Sequence, residues 1–423
     1  MKEWNKAPKV KDVFFDDFSQ GIRSNVWRVL NEKWKSQKNN GYSQDNCMYT
    51  TDINEVTANG AIGGLVVICS NGDLATDVNK KRQGGGIVTK KLFGPGKYEV
   101  RMKVVPRVGQ CSAIWTYYNN WANSIEELKY SEIDLETPYG GDYRHWTGTT
   151  YEKYLNTDNK IYSSEVVNTI PLNDGQWHIM SFEWRTDEKN NDCGIVWYLD
   201  DKKVLRINEA VPKYTATFWI ASLFQDAIAW LGDPLFEKAY MYIDWVRITQ
   251  YSDPCLDGNA EKESQLKYTG MDLGSNYVPQ TNYIANSDFS SPEKTLSFKG
   301  REIYSWKIAG GQIIDNHLSL KNGRAEQIIY AQYVNFRYKL HLTGKTTGKV
   351  KVYLQFLSGQ ANKIDPELHV VGKSNVLELD SSSSILLGLL IIDHEQTEHI
   401  MLVIECVGEC SIDNVHLMLI NSN

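Results

Sequence analysis

No run of 18 apolar residues occurs in the chain, so the sequence predicts no membrane-spanning helix. Basic residues are outnumbered, 45 against 52 acidic ones, and form no cluster, which argues against a nucleic-acid partner. The 7 cysteines include no Cys-x-x-Cys pair, so zinc and thiol redox sites of that kind are not expected. A membrane protein, a nucleic-acid binder and a zinc protein are therefore poor descriptions of this sequence.

The amino terminus lacks an apolar leader segment. This start fits a mature chain after removal of a leader, and it also fits a cytoplasmic protein. The odd cysteine count leaves at least one thiol unpaired. Cys406 and Cys410 are close enough in sequence either to bridge or to stay reduced.

Aromatic side chains are abundant, with 24 Tyr and 13 Trp in 423 residues. Flat ring faces and a weak net charge suit an extended neutral polymer such as a carbohydrate chain. For any single ring, packing in a β-sandwich core is the more common role. All the tryptophans except Trp306 precede residue 253, which indicates two regions of different character.

The chain exceeds the size of one typical core, so two domains are expected. Residues 1–252 are predicted to form the larger domain, 253–280 a polar linker and 281–423 a smaller domain. Alternating runs rich in β-branched and aromatic residues, without amphipathic helices, predict an all-β protein whose larger domain is a concave β-jelly-roll sandwich. Its predicted strands are 64–69, 86–92, 98–104, 112–118, 131–136, 178–184, 195–199, 218–224 and 241–250.

The smaller domain is also predicted to be a β-sandwich. It opens with the segment 282–289 and closes with 411–417. Further strands are predicted at 327–333, 338–342 and 350–356.

Three carboxylates alternate with branched apolar residues in the segment 132–136. In a strand, Glu132, Asp134 and Glu136 share one face while Ile133 and Leu135 point to the other. Like charges in such a row raise the cost of ionising one another, so a fold that keeps them generally uses them. Retaining hydrolysis of a glycosidic bond needs two carboxyl groups roughly 5–5.5 Å apart, one ionised and one protonated. The outer Cα atoms of a flat strand would be about 13 Å apart, so this chemistry requires a curved sheet.

Around this triplet the first region resembles glycoside hydrolase family 16, whose members are retaining endo-β-glycosidases on a concave β-jelly roll. The matching stretches, in family order, are 14–18, 96–103, 131–136, 177–178 with 182–184, 197–200 and 243–247. The resemblance covers roughly residues 12–251. Residues 281–423 resemble a family-4-type carbohydrate-binding module through their first and last predicted strands.

The resemblance implies an unbulged active-site strand, because no residue is inserted before Glu136. That form is typical of members that cleave β-1,4 bonds: mixed-linkage glucanases, xyloglucan enzymes and some endo-β-galactosidases. Two positions depart from the mixed-linkage glucanases. Thr137 stands where they carry Phe, and Ser222-Leu223-Phe224 stands where they carry Asn-Leu-Trp.

By transfer from the family, Glu132 is expected to be the nucleophile and Glu136 the general acid and then base, with Asp134 hydrogen-bonded to Glu132. A solvated acidic edge strand is the alternative for an isolated triplet. Catalysis is expected to need no cofactor, and Asp244 matches a family position that binds structural calcium. The residues expected to bind substrate are Glu99, Arg101, Trp115, Tyr117, Trp121, Trp146, Thr149, Tyr151, Phe224 and Trp230. For Glu99 and Arg101, a cross-strand ion pair is an equal alternative.

We therefore expect a secreted, monomeric endo-β-glycosidase that acts on a β-linked polysaccharide or glycan. The altered late strand and the aromatic segment 115–121 favour a β-1,4-galactosidic bond in host-type mucin glycans. A mixed-linkage β-1,3-1,4-glucanase, a transglycosylase with the same glycosyl-enzyme and a catalytically inactive lectin are the alternatives.

Overall fold

The structure, a computed structural model, describes residues 3–32, 41–155, 159–224, 228–258, 269–290, 295–298, 301–304, 306–359 and 368–420. Nearly all regular structure in these residues is β, as the sequence predicts, and the two α-helices are α1 (Ile53–Ala58) and α2 (Ile228–Leu231). No helix in the described part of the chain is long and apolar enough to cross a membrane.

The strands are numbered in chain order. Those of the first region are β1 (Val10–Asp16), β2 (Trp27–Val29), β3 (Gly41–Tyr42), β4 (Cys47–Thr50), β5 (Leu65–Asn71), β6 (Gln83–Thr89), β7 (Gly96–Lys103), β8 (Cys111–Asn119), β9 (Tyr130–Thr137), β10 (His145–Lys153), β11 (Lys160–Val167), β12 (His178–Asp187), β13 (Asp192–Leu199), β14 (Lys202–Ile207), β15 (Thr217–Leu223), β16 (Lys238–Tyr251) and β17 (Met271–Asp272). Those of the second region are β18 (Thr295–Phe298), β19 (Arg301–Tyr304), β20 (Lys307–Ile314), β21 (His317–Ile329), β22 (Arg337–Thr346), β23 (Lys349–Ser358), β24 (His369–Lys373), β25 (Leu377–Asp380), β26 (Ile385–Ile391), β27 (His399–Val407) and β28 (Glu409–Leu419).

The first region is a sandwich of two layers. The inner layer runs β2-β6-β15-β8-β9-β10-β11 and carries the acidic strand β9 near its middle. The outer layer is built on β16, which pairs with β1, β5 and β7 and continues through β12 and β13 to β14. Phe182, Trp184 and Trp197 are fully buried between the layers. The predicted jelly-roll sandwich is confirmed, and its inner layer leaves one face open for a groove.

All nine predicted strands of the first region are present, with ends shifted by up to three residues. The nine predicted ranges do not include β1–β4, β10, β11, β14 or β17. Several positions of β10 and β11 that face the groove are Thr and Ser, so the apolar alternation on which the prediction depends is weak there.

The predicted linker is packed against the first region at both described ends. The Arg185 guanidinium donates to the Asp253 carboxylate at 2.6 Å, and both side chains are buried. Further along, β17 pairs in parallel with β4. Residues 259–268 lie outside the described part of the chain, and the domain boundaries themselves stay a prediction.

The second region is all-β, as predicted, with the main strand order β24-β23-β27-β21-β28-β22-β26. Two strand predictions need correction. Residues 282–289 form turns in place of a strand, with Asn286 and Phe289 at positive φ. The strand predicted at 327–333 ends at Ile329, because it is the last part of the longer β21. All seven cysteines are free, so Cys406 and Cys410 do not bridge.

Candidate active site

The three carboxylates lie side by side on the open face of the inner layer. Both neighbours of β9 pair with it without a register shift, so its alternation is unbroken. Ile133 and Leu135 are at most 1% exposed and fill the core behind the carboxylates. The predicted division of this strand into an acidic face and an apolar face is confirmed. Glu132, Asp134 and Glu136 all line one groove of about 840 Å³.

Six of the residues predicted to bind substrate also line this groove. They are Trp115, Tyr117, Trp121, Thr149, Tyr151 and Trp230. The pairing explains why they converge. Tyr117 and Tyr151 flank Glu132, while Trp115 and Thr149 flank Asp134 on the neighbouring strands, and side chains opposite each other in a sheet share a face.

Burial raises the pKa of every member of the triplet. The pKa of Glu132 rises to about 7, although a hydrogen bond from the Tyr130 hydroxyl opposes the rise. Burial together with the charge of Glu132 raises the pKa of Glu136 to about 8. The pKa of Asp134 is raised well above its usual value by burial and by both glutamates. The hydrogen bond from Tyr130 favours the ionised form of Glu132, which is the form that a nucleophile requires.

The Tyr151 hydroxyl opposes the rise in the pKa of Asp134 that burial causes. The predicted hydrogen bond between Asp134 and Glu132 is absent from the described residues. Oδ1 of Asp134 is buried and has no hydrogen-bond partner among them. The Trp197 indole donates to the backbone carbonyl of Asp134 at 3.0 Å, which fixes the middle of the strand from the core side.

Aromatic rings form platforms along the groove. Trp115 and Trp219 stack with their centroids 5.3 Å apart. Trp121 is 70% exposed at the rim and has a φ of +57°, an unusual conformation for a bulky residue. Its amide donates to Oδ1 of Asn119 at 2.7 Å, which holds the ring in this exposed position. Such rings offer flat apolar faces to the C–H faces of sugars.

Trp146 and Phe224 do not line the groove, contrary to the prediction. Trp146 is 1% exposed and packs in the core, because it is one residue out of phase with Thr147 and Thr149 on β10. Phe224 lies just beyond β15 and stacks on Phe236 in the same core, with centroids 6.4 Å apart.

Glu99 and Arg101 lie in the outer layer and not beside the acidic strand. The prediction that they line the substrate groove is therefore wrong. Their strand, β7, pairs with β12 and β16. Glu99 forms an ion pair with Lys97 at 2.7 Å, and Arg101 pairs with Asp244. The cross-strand ion-pair alternative describes Arg101, whose partner lies on β16. The Lys97 partner of Glu99 lies on β7 itself, and the cross-strand contact of Glu99 with Arg247 is at 3.9 Å.

The surroundings of Asp244 do not fit a calcium ion. The side chain is fully buried, and both carboxylate oxygens already accept hydrogen bonds, one from the Ile62 amide at 2.8 Å and one from Arg101. A guanidinium beside the carboxylate repels a second cation. No group of three His, Cys, Asp or Glu residues that could hold a metal ion occurs in the described ranges.

The sequence prediction missed several groove residues. Among them are Glu32, Tyr42, Tyr130, Tyr139, Thr147, Tyr154, Ser163 and Trp219. Tyr130 could have been found, because it is two residues before Glu132 and so shares its face. Tyr139 follows the strand in a turn, where alternation gives no information.

The charges along the groove have one sign. Its described lining contains the triplet and Glu32 but no Lys, Arg or His. A negatively charged substituent on a bound polymer would therefore find no cationic side chain in this described lining, and the nearby Arg28 is already paired with Glu32 at 2.8 Å.

Comparison with known proteins places these features in a family. Residues 41–247 match the sequence profile described as Glycosyl hydrolases family 16. A beta-glucanase of Acetivibrio thermocellus is 31% identical over 167 residues, which are 37% of this chain and 45% of that protein. A beta-glucanase of Bacillus subtilis is 25% identical over 247 residues, 56% of this chain and 86% of that protein. The chain thus spans less than half the length of the first of these two curated relatives.

Among solved structures, a Bacillus licheniformis beta-glucanase aligns with 57% of this chain and 99% of its own, at 19% identity and a TM-score of 0.44.

Proposed function

Residues 41–247 match the profile of Glycosyl hydrolases family 16, and from this match we propose that the chain is a retaining endo-β-glycosidase that hydrolyses a neutral β-glucan. The observation that carries the proposal is the position of Glu132 and Glu136. Both lie on one face of β9 in one groove, and the Tyr130 hydroxyl donates to Glu132 and so favours its ionised form.

The first chemical step uses both glutamates. The ionised carboxylate of Glu132 attacks the anomeric carbon and forms a glycosyl ester. As the glycosidic bond breaks, Glu136 transfers its proton to the leaving oxygen, so the leaving sugar departs as a neutral alcohol. Tyr130 orients Glu132 through its hydrogen bond.

The second step reverses these roles. Glu136, now ionised, accepts a proton from a water molecule whose oxygen attacks the same carbon. The ester bond breaks, and Glu132 leaves as a carboxylate. Two inversions at one carbon return the original β configuration.

Two observations support a neutral glucan as substrate. The described groove lining has no cationic side chain to pair with sulfate or carboxylate groups, which mucin-type glycans often carry. The curated relatives are described as beta-glucanases. Together they favour the glucanase alternative of the sequence prediction over its first choice, a galactosidic bond in host glycans.

The test is a substrate panel with active-site variants. Wild-type protein is expected to release oligosaccharides from mixed-linkage β-glucan, with little release from agarose or mucin glycans. Glu132→Gln and Glu136→Gln should lose turnover by about 10³-fold or more while still binding the polymer. Mass spectrometry of the products identifies the linkage.

Other outcomes would contradict the proposal in distinct ways. Activity retained in either glutamine variant would reject the catalytic assignment. Products longer than the substrate would indicate a transglycosylase, and tight binding without any product would indicate a lectin. NMR detection of an initially inverted hemiacetal would reject retention.

A further inference from the structure

The turn between β9 and β10 forms part of the groove wall. Residues 138–144 make this turn, called here the β9–β10 turn, and Tyr139 within it lines the groove. The amide of Tyr139 donates to the carbonyl of His145 at 2.9 Å, and the amide of Asp142 donates to the carbonyl of Tyr139 at 3.1 Å. The position of Tyr139 therefore depends on the shape of the turn.

The same turn also contacts another wall residue. The amide of Gly141 donates to the backbone carbonyl of Trp230 at 3.2 Å, and Trp230 lines the groove as well. Gly141 has a φ of +73°, a conformation that glycine adopts at no steric cost. A displacement of the turn would thus move two aromatic residues of the wall at once.

A tyrosine of the second region holds this turn. The hydroxyl of Tyr333 donates to Oδ1 of Asp142 at 2.8 Å and accepts from the Tyr143 amide at 3.2 Å. Tyr333 is 5% exposed, and the Arg144 guanidinium lies over its ring at 5.0 Å. Arg144 also donates to both carboxylate oxygens of Asp142, at 2.6 to 3.1 Å. One hydroxyl therefore satisfies two groups of the turn.

Other contacts fix the second region in place around Tyr333. Buried Arg107 donates to the carbonyl of Tyr283 at 2.8 Å. The Asn173 side chain donates to the carbonyl of Ala331 at 2.9 Å, two residues from Tyr333. Because buried polar groups are costly to leave unpaired, these bonds resist separation of the two regions.

We propose that Tyr333 is a positioning residue for the groove, acting through Asp142 and the β9–β10 turn on Tyr139 and Trp230. The second region then completes one wall of the groove and is not an independent appendage. The inference rests on the proposed function, because the wall matters to turnover only if the groove binds glycan. The carboxylates of β9 are held by strand pairing on both sides, so they keep their places when the hydroxyl is lost.

The experiment compares Tyr333→Phe with Tyr353→Phe in the full chain. Tyr353 also loses a hydroxyl hydrogen bond, to Glu405 at 2.9 Å, but that bond lies within the second region. Hydrogen exchange measured by mass spectrometry should be faster at 139–145 and 230–232 in Tyr333→Phe only. The KM for glucan should rise about three- to ten-fold in this variant, with kcat within about two-fold and the pH profile unchanged.

The inference would be overturned by unchanged hydrogen exchange in the turn, by an unchanged KM, or by equal effects in Tyr353→Phe. An altered pH profile would also overturn it, because it would mean that the carboxylates themselves had moved. Asp142→Asn approaches the same link from the first region and should accelerate exchange in the same segments. If wild-type protein cleaves no glucan while Tyr333→Phe still accelerates exchange there, the proposed function fails and the structural link stands.

Discussion

The hydroxyl of Tyr130 donates a hydrogen bond to the carboxylate of Glu132, two residues further along the same strand. A donor to the ionised form lowers the pKa of a carboxyl group, and here it opposes the effect of burial. Among the causes that shift the pKa of Glu136 there is no such donor: burial and the charge of Glu132 both raise it. A single hydroxyl group thus helps to separate the protonation states of the two proposed catalytic residues.

Replacing Tyr130 by Phe should narrow the pH range over which kcat/KM is high, because activity should be lost at the acidic end of that range. The kcat/KM of the wild type should be highest between about pH 7 and about pH 8, where Glu132 is ionised and Glu136 is protonated. Loss of the donor raises the pKa of Glu132, so the acidic limb should move to higher pH by about one pH unit. Tyr162→Phe, on an exposed ring outside the groove, is the control. An acidic limb that stays in place would show that the hydrogen bond does not set this pKa.

Azide should distinguish the roles of the two glutamates. In Glu132→Ala, azide can take the place of the missing nucleophile and should give a glycosyl azide of inverted configuration. In Glu136→Ala, azide should attack the glycosyl-enzyme and give a β-glycosyl azide, best seen with an activated leaving group that needs no acid. NMR of the products provides the measurement. The opposite pattern would exchange the two assignments.

Trp121 should contribute to binding and not to chemistry. Trp121→Asn removes the ring, while Asn tolerates the positive φ that this position requires. Loss of an exposed platform should raise the Kd for long oligosaccharides about ten-fold, measured by calorimetry in a Glu132→Gln background. The melting temperature should change little because the ring is 70% exposed. An unchanged Kd would exclude this ring from the binding surface.

Anionic polymers should be poor substrates. Carboxymethylated β-glucan should show a kcat/KM about ten-fold below that of the neutral polymer, because the described lining of the groove contains acidic but no basic side chains. Added salt should reduce the difference by screening. Glu32→Gln should also reduce it, with the neutral glucan as control. Equal rates on both polymers at low salt would contradict this account.

Calcium should leave the stability of the protein unchanged. Chelator and added calcium should both leave the melting temperature as it is, since donors occupy both oxygens of Asp244. Asp244→Asn removes the partner of Arg101 and should cost about 2 kcal/mol in the free energy of unfolding, measured with urea. Calcium should not restore that loss. Stabilisation by calcium in the wild type would show that a metal displaces Arg101.

Alternation within a strand accounts for most of what the sequence predicted correctly in the groove. Alternation places Glu132 and Ile133 on opposite faces of β9. It could also have excluded Trp146 from the groove, because Thr149 and Tyr151, which are predicted to bind substrate, lie on the opposite face of β10. Alternation does not tell which strands become neighbours. Glu99 was misplaced for that reason, since β7 joins the outer layer.

Contacts between distant segments were beyond sequence reasoning. Asp142 and Tyr333 are 191 residues apart, and no local sequence pattern links them. The sequence predicts a strand at 282–289, yet the Asn286 amide donates to the Glu237 carboxylate of the first region at 2.8 Å. Such bonds depend on how surfaces that are distant in sequence meet, and local residue patterns do not indicate this.

The strand β16 has a consequence for biosynthesis. It ends at Tyr251 and supplies the pairing edges of β1, β5 and β7, whose residues leave the ribosome much earlier. The edges of these strands that pair with β16 stay unpaired until the segment up to Tyr251 has been translated. Long-range pairing of this kind folds slowly and exposes the nascent chain to aggregation. Expression yield should therefore depend on chaperone capacity and translation speed more than on the final stability of the protein.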